Sequence, residues 1–231
     1  MTRHPILRNS IFILVIGMCA SCAHTRTTAS TPSDVAPALR QVLDSYEPFS
    51  GIFMAENARS ERISYARGFA DDRAARSIMV DDVWRWASIT KQLTAILVMQ
   101  EVDAGHLSLD QTLFEVLPEF KIATARSITI LDLLRHTSGL ANPDSLSPAD
   151  FSTEGKFNAD AFCAAPPNKT AGAVFEYNNC DYLVLGRILE QKTGEAWPAL
   201  LRKRIFERAG IAASGIADGG AVETVTGYLT Q

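Results

Sequence analysis

Ala87-Ser88-Ile89-Thr90-Lys91-Gln92-Leu93-Thr94-Ala95-Ile96-Leu97-Val98-Met99 is the stretch on which the reading of this chain turns. Leu93, Ala95, Ile96, Leu97, Val98 and Met99 cover nearly every face of a helix over 88–103, so a central helix surrounded by protein is expected. Gly105 stops it. At its start Ser88 and Lys91 stand three apart and share a face, which brings the amine toward the hydroxyl. A serine alcohol is a weak nucleophile until its proton is removed, and a lysine whose pKa is lowered by burial and neighbouring charge can remove it. Backbone N–H groups at the helix start can stabilise an oxyanion. Ser-x-x-Lys recurs by chance, and its bland reading is an N-cap serine beside a solvated lysine. A lysine heading so apolar a helix is awkwardly placed for that role.

Tyr177-Asn178-Asn179 is the second element, preceded by Phe175-Glu176 and followed by an amphipathic helix over 180–192 that Gly194 ends. A phenol with cationic neighbours can shuttle protons, and an Asn side chain can orient both a lysine and a substrate carbonyl. Alone, the tripeptide is an ordinary loop-to-helix junction; with Ser88 and Lys91 it becomes far more specific. Elsewhere the pattern predicts a helix over 35–46 and a hairpin of strands 49–55 and 62–69 around a polar turn at 56–60. Shorter helices are expected over 130–135 with Thr129 as cap, 158–164, and 198–208 ended by Gly210.

These residues resemble the serine β-lactamase-like family of the class C type, with its esterase and D-alanyl-D-alanine carboxypeptidase relatives. The resemblance runs through Phe49-Ser50-Gly51, Arg67-Gly68-Phe69-Ala70-Asp71, Ala87-Ser88-Ile89-Thr90-Lys91-Gln92 and Gly105-His106-Leu107-Ser108-Leu109-Asp110. It continues through Leu133-Leu134-Arg135-His136-Thr137-Ser138-Gly139-Leu140 and Phe175-Glu176-Tyr177-Asn178-Asn179. It implies an α+β fold, a helical domain with part of an antiparallel sheet. It also implies Ser88 as acyl-forming nucleophile, Lys91 and Tyr177 as its proton-transfer partners, and Asn179 as a substrate-orienting group. His136 and Ser138 are expected to be structural, with no carboxylate partner for the histidine. The family's third motif, Lys-Thr-Gly or His-x-Gly on a late strand, has a look-alike in Lys192-Thr193-Gly194, but this stands 13 residues after Asn179 at a helix end and is taken as a decoy. The chain stops at Gln231, ahead of the family's remaining strands, so a truncated domain is expected.

Composition frames this reading. The 231 residues carry a net charge of −4, which argues against a nucleic-acid partner. Arg3 and Arg8 precede an apolar run over 11–20, followed by small residues, as in an export signal. Cys19-Ala20-Ser21-Cys22 resembles a lipobox with Cys where Leu is usual, leaving two readings: lipid anchoring through Cys22, or plain cleavage after Ala23. The expected organisation is an export signal over 1–22, a Thr/Ser/Pro-rich linker over 23–37 and a hydrolase domain over 38–231, located in the periplasm or cell envelope. Only Cys163 and Cys180 remain for the folded body, as a disulfide or as two buried thiols. No Cys/His spacing suggests a metal, and no cofactor is expected. The substrate class implied is a small molecule or a peptidoglycan-derived peptide, joined through an amide, β-lactam or ester bond. The alternative is a non-catalytic family member acting as a binding or accessory protein.

Overall fold

Polar groups at helix ends and hairpin turns explain much of where the elements begin and stop. The computed structural model describes residues 32–46, 49–58, 60, 62–71, 76–143 and 158–211. The stretch read as an export signal, with the cysteines at 19 and 22, lies outside the described residues. Contacts divide the chain into two units, Met1–Asp81 and Asp82–Gln231.

In the first unit, helix α1 spans Pro32–Ser45, beginning three residues before the expected 35 and inside the stretch read as linker. Strands β1 (Gly51–Glu56) and β2 (Arg62–Arg67) form the expected antiparallel hairpin, with Gly51 opposite Arg67 and Glu56 opposite Arg62. Arg67 donates to the carbonyls of Leu43 (3.3 Å) and Asp44 (3.1 Å), supplying partners and positive charge where α1 leaves carbonyls without intrahelical bonds. Tyr65 donates to Asp44 at 2.6 Å, a second tie between hairpin and helix end. A second small pair, β3 (Phe69–Asp71) with β4 (Arg76–Ser77), follows.

The second unit is helical. A 3₁₀ turn, Ala87–Ile89, leads into α2 (Thr90–Asp103), followed by α3 (Leu113–Val116), α4 (Ile130–Arg135), α5 (Ala159–Phe162), α6 (Asn179–Thr193) and α7 (Trp197–Leu201). Leu97, Val98, Leu133, Leu185, Ile188 and Leu200 are fully buried in one core. Each such side chain contributes about 1.5–3 kcal/mol by leaving water. The expectation that α2 is surrounded on every side needs correction. Leu93, Leu97 and Val98 are buried, but Ile96 is 46% and Met99 38% exposed, because packing against α6 and α7 uses one face only. Its buried polar residues are paired: Thr94 accepts from the Trp197 indole at 3.2 Å, and Glu101 bonds Arg204 and His106. Burial pushes the Glu101 carboxyl up, but its bonds to Arg204 and His106 outweigh this and hold it below its ordinary range.

Helix α4 has the expected bounds, with Thr129 and Asp132 forming a reciprocal capping box and His136 ending the helix in the left-handed region at φ 58°. Helix α5 covers only Ala159–Phe162 of the expected 158–164, and Asn158, read as its first residue, is its cap. Helix α6 ends at Gly194, φ 69°, with Lys192 and Thr193 in its last turn, so Lys192-Thr193-Gly194 is a helix terminus and not a strand motif. The segment expected as one helix over 198–208 is instead α7 followed by a π-helical turn, Arg202–Phe206. Cys163, beside α5, and Cys180, in the first turn of α6, form a disulfide with Cα atoms 5.5 Å apart, which settles the two readings of these cysteines.

A bridge closing a loop of 17 residues contributes about 3 kcal/mol. Replacing both cysteines by alanine is therefore expected to lower the unfolding free energy by about that amount in a denaturant titration. Reductant should shift the parent protein and leave the variant unmoved; equal midpoints in all four samples would mean that the thiols are unpaired.

Candidate active site

Ser88 sits in the 3₁₀ turn just before α2, behind an alanine forced to φ 43°. A left-handed conformation costs an alanine about 1–2 kcal/mol, and such strain is concentrated at functional sites. The Ser88 side chain caps neither the turn nor the helix, which removes the N-cap reading of this serine. Its Oγ instead accepts from two donors, the Lys91 ammonium at 3.2 Å and the Tyr177 hydroxyl at 2.6 Å. Lys91 also donates to Asn179 Oδ1 at 2.9 Å. The four residues singled out in the sequence are thus joined by three hydrogen bonds, two of which span nearly ninety residues of chain.

Charge reinforces the geometry. The Lys91 nitrogen lies 4.7 Å from the centre of the Tyr177 ring and 5.9 Å from that of Tyr182, within reach of cation–π attraction. Hydrogen bonding to Lys91 first, and to Ser88 second, holds the Tyr177 phenol below its ordinary pKa, with burial working weakly against them. Tyr177 is 46% exposed, so the cluster is open to a ligand.

The start of α6 is fixed by buried polar contacts that hold Tyr177 and Asn179 in place. Asn178 is buried and caps the helix: its Oδ1 accepts from the Cys180 N–H at 2.8 Å, while its Nδ2 donates to the Leu140 carbonyl at 2.7 Å. The Asn179 N–H donates to Asn142 Oδ1 at 3.0 Å. Gly139, at φ 72°, passes so close to the neighbouring chain that a Cβ there would stand 2.3 Å from the Lys169 carbonyl oxygen. The Glu176 N–H donates to the His136 carbonyl at 2.8 Å.

One expectation is overturned here. His136 does have a carboxylate partner: its Nδ1 lies 2.9 Å from Asp181 Oδ2, a residue 45 positions away on α6. Ser138 donates to the other Asp181 oxygen and accepts from the Leu140 N–H at 3.0 Å. Asp181 is fully buried, and burial pushes its carboxyl up to about 7. Sequence reading missed Asp181 and Asn142. An acidic residue in the first turn of a helix has an ordinary electrostatic explanation, and only folding reveals that this one is inside.

Residues 39–227 match the family model described as Beta-lactamase. Penicillin-binding protein 4 of Amycolatopsis lactamdurans is 38% identical over 138 residues, covering 58% of this chain and 36% of its own length. The esterase EstB of Burkholderia gladioli is 30% identical over 175 residues, covering 67% of this chain and 44% of its own. The crystal structure of a penicillin-binding protein from Bacillus halodurans superposes with a TM-score of 0.66 at 25% identity, over 83% of this chain and 61% of that one. The chain thus spans less than half the length of these two curated relatives. The α+β fold agrees with that of the solved relatives, and with residues 39–227 matched to its model the chain belongs to the beta-lactamase family.

Proposed function

We propose that this chain is an exported serine hydrolase that cleaves amide or ester bonds through an acyl-enzyme on Ser88. The observation that carries the reading is the double approach of Lys91 and Tyr177 to one serine oxygen, with Lys91 anchored by Asn179. In the ionised phenolate form Tyr177 accepts the Ser88 proton, a transfer that the adjacent ammonium favours by stabilising the phenolate. Ser88 Oγ then bonds the substrate carbonyl carbon, and the carbonyl oxygen takes up the negative charge. The Ser88 N–H, in the first turn at a helix start, is a candidate donor for that charge. Collapse breaks the C–N or C–O bond, and the leaving group departs with the proton held by Tyr177. Water repeats the sequence on the ester to release the acid and restore Ser88. Asn179, with its Oδ1 on Lys91, keeps an Nδ2 to orient the substrate carbonyl.

The names of the relatives, penicillin-binding protein and esterase, frame the substrate class as β-lactams, D-alanyl peptides or simple esters. Export to the periplasm or cell envelope fits the buried disulfide, since such bonds persist in oxidising compartments. Lipid anchoring through Cys22 fits the sequence pattern. Metabolic fatty-acid labelling that depends on Cys22 supports it, and label retained in Cys22→Ser removes it.

Hydrolysis of a nitrophenyl ester and of a chromogenic cephalosporin tests the central step. Ser88→Ala should lower turnover by about 10⁴-fold or more. Lys91→Arg should do nearly as badly as Lys91→Ala, because the wider planar guanidinium misplaces the charge that favours the phenolate and cannot reproduce the ammonium's bonds to Ser88 and Asn179. Turnover independent of Ser88 would refute the reading, and binding without turnover would favour the accessory-protein alternative.

The lowered Tyr177 pKa has a sign that can be checked. The phenolate is the active form, so the acylation rate should rise with pH and level off below the ordinary tyrosine value of about 10. Tyr177→Phe should abolish that rise. A rate that climbs unchanged in Tyr177→Phe would assign the proton transfer elsewhere.

A further inference from the structure

His136 touches the Tyr177 segment in three ways. Its carbonyl accepts the Glu176 N–H at 2.8 Å, and its Nδ1 lies 3.2 Å from the Asn178 N–H, so one residue holds the amides on both sides of Tyr177. Its ring stands 4.8 Å from the Tyr177 ring, tilted against it. The left-handed backbone at His136 makes this geometry possible, since the chain turns there from α4 back toward α6.

The Asn178 amide also decides the state of the imidazole. A backbone N–H can only donate. If His136 Nδ1 carried a proton, two N–H groups would face each other in a buried place, and the Asn178 amide would lose its acceptor. Nδ1 therefore offers its lone pair, and the neutral ring carries its proton on Nε2. Asp181 Oδ2, 2.9 Å away, then shares that one lone pair with the amide as the O–H side of a carboxylic acid, with Oδ1 accepting from Ser138. The groups facing this pair agree. Burial first, then Lys91 on α2, push His136 below its ordinary value. Burial raises Asp181 to about 7; the Ser138 bond and Lys91 oppose this, and Asp132 on α4 adds to it. Tyr177 and Tyr182 also face the histidine ring, as does the edge-on Phe175 ring, and Tyr182 is raised by burial, Asp181 and Tyr177.

We propose that His136 is a positioning residue that sets the Tyr177 hydroxyl against Ser88, gripping the amides on both sides of that tyrosine from a neutral imidazole kept in its Nε2–H form by the acid of Asp181. The proposal rests on the reading of Tyr177 as the proton acceptor for Ser88. His136 itself stays out of the chemistry: it neither gives up nor gains a proton as Ser88 is acylated.

The test uses the full chain, with a fluorophosphonate as probe and nuclear magnetic resonance of labelled histidine and tyrosine. In the parent protein at pH 6, the ¹⁵N shifts of His136 should show a protonated Nε2 and a bare, hydrogen-bonded Nδ1. A protonated Nδ1 would overturn the proposal. Asp181→Asn, whose amide donates where the acid does and accepts where Oδ1 does, should keep that form. Conversion to the Nδ1–H form in Asp181→Asn would mean that the aspartate does not select it. His136→Ala should slow maximal acylation about 100-fold, as a displacement near 1 Å does, with the half-saturating probe concentration unchanged. The Tyr177 phenol should move back toward its ordinary titration range in the same variant. His136→Asn places Oδ1 where Nδ1 stood and tolerates the left-handed backbone, so it should recover most of the rate. It also serves if His136→Ala does not fold. Unchanged acylation and unchanged Tyr177 titration in a folded His136→Ala, or a His136→Asn no faster than His136→Ala, would overturn the proposal. If the parent protein is not acylated at all, the hydrolase reading fails, and the histidine shifts and Tyr177 titration still decide this one.

Discussion

The Lys91 ammonium is the interaction on which the site depends. It has two oxygen acceptors, Ser88 Oγ on its own helix start and Asn179 Oδ1 at the start of α6, and it lies over the Tyr177 ring. A single cation thus draws together two elements distant in sequence, and the same charge depresses Tyr177 and His136. Without the positive charge the α2 and α6 ends lose their Lys91–Asn179 bond, the phenol loses the largest cause of its acidity, and His136 loses a downward pull that is second to burial. Because the ammonium is partly buried, the attraction is screened less than between exposed ions.

Behind this charged front lies a polar layer with almost every group satisfied. Asn178, Ser138 and Asp181 are all buried, and each has hydrogen-bond partners within the helical unit. Buried polar groups of this kind add little net stability, yet leaving any of them unpaired costs about 1–3 kcal/mol. Their effect is therefore one of specificity: they admit one arrangement of the turn that carries Tyr177. The disulfide at Cys180 ties down the same turn covalently, and Gly139 packs tightly against the backbone at Lys169 ahead of it. The strained Ala87 on the other side of the site persists because α2 is anchored in the core through Leu97 and Val98.

Much of this could be read from the sequence, where local chemistry decides the outcome. Thr129 as cap, Gly194 as stop and the hairpin from β1 to β2 follow from capping, backbone freedom and alternation, none of which needs a distant partner. The Ser88 to Lys91 spacing is likewise local. What escaped the sequence depends on partners far along the chain. Asp181 is an unremarkable helix-start acid until His136 and Ser138 arrive, and Asn142 is a loop residue until it meets the Asn179 amide. Helix α3 is too short to show a period, and the exposed side of α2 at Ile96 and Met99 shows that hydropathy does not tell which apolar faces are covered. The π-helical turn after α7 follows helical periodicity closely enough to be taken for its continuation.

The most direct measurement of the central claim is the site of covalent capture. After reaction with a fluorophosphonate at a single turnover, intact mass should rise by one adduct, and peptide mapping should place it on Ser88. An adduct on any other residue, or one that forms equally in Ser88→Ala, would contradict the account.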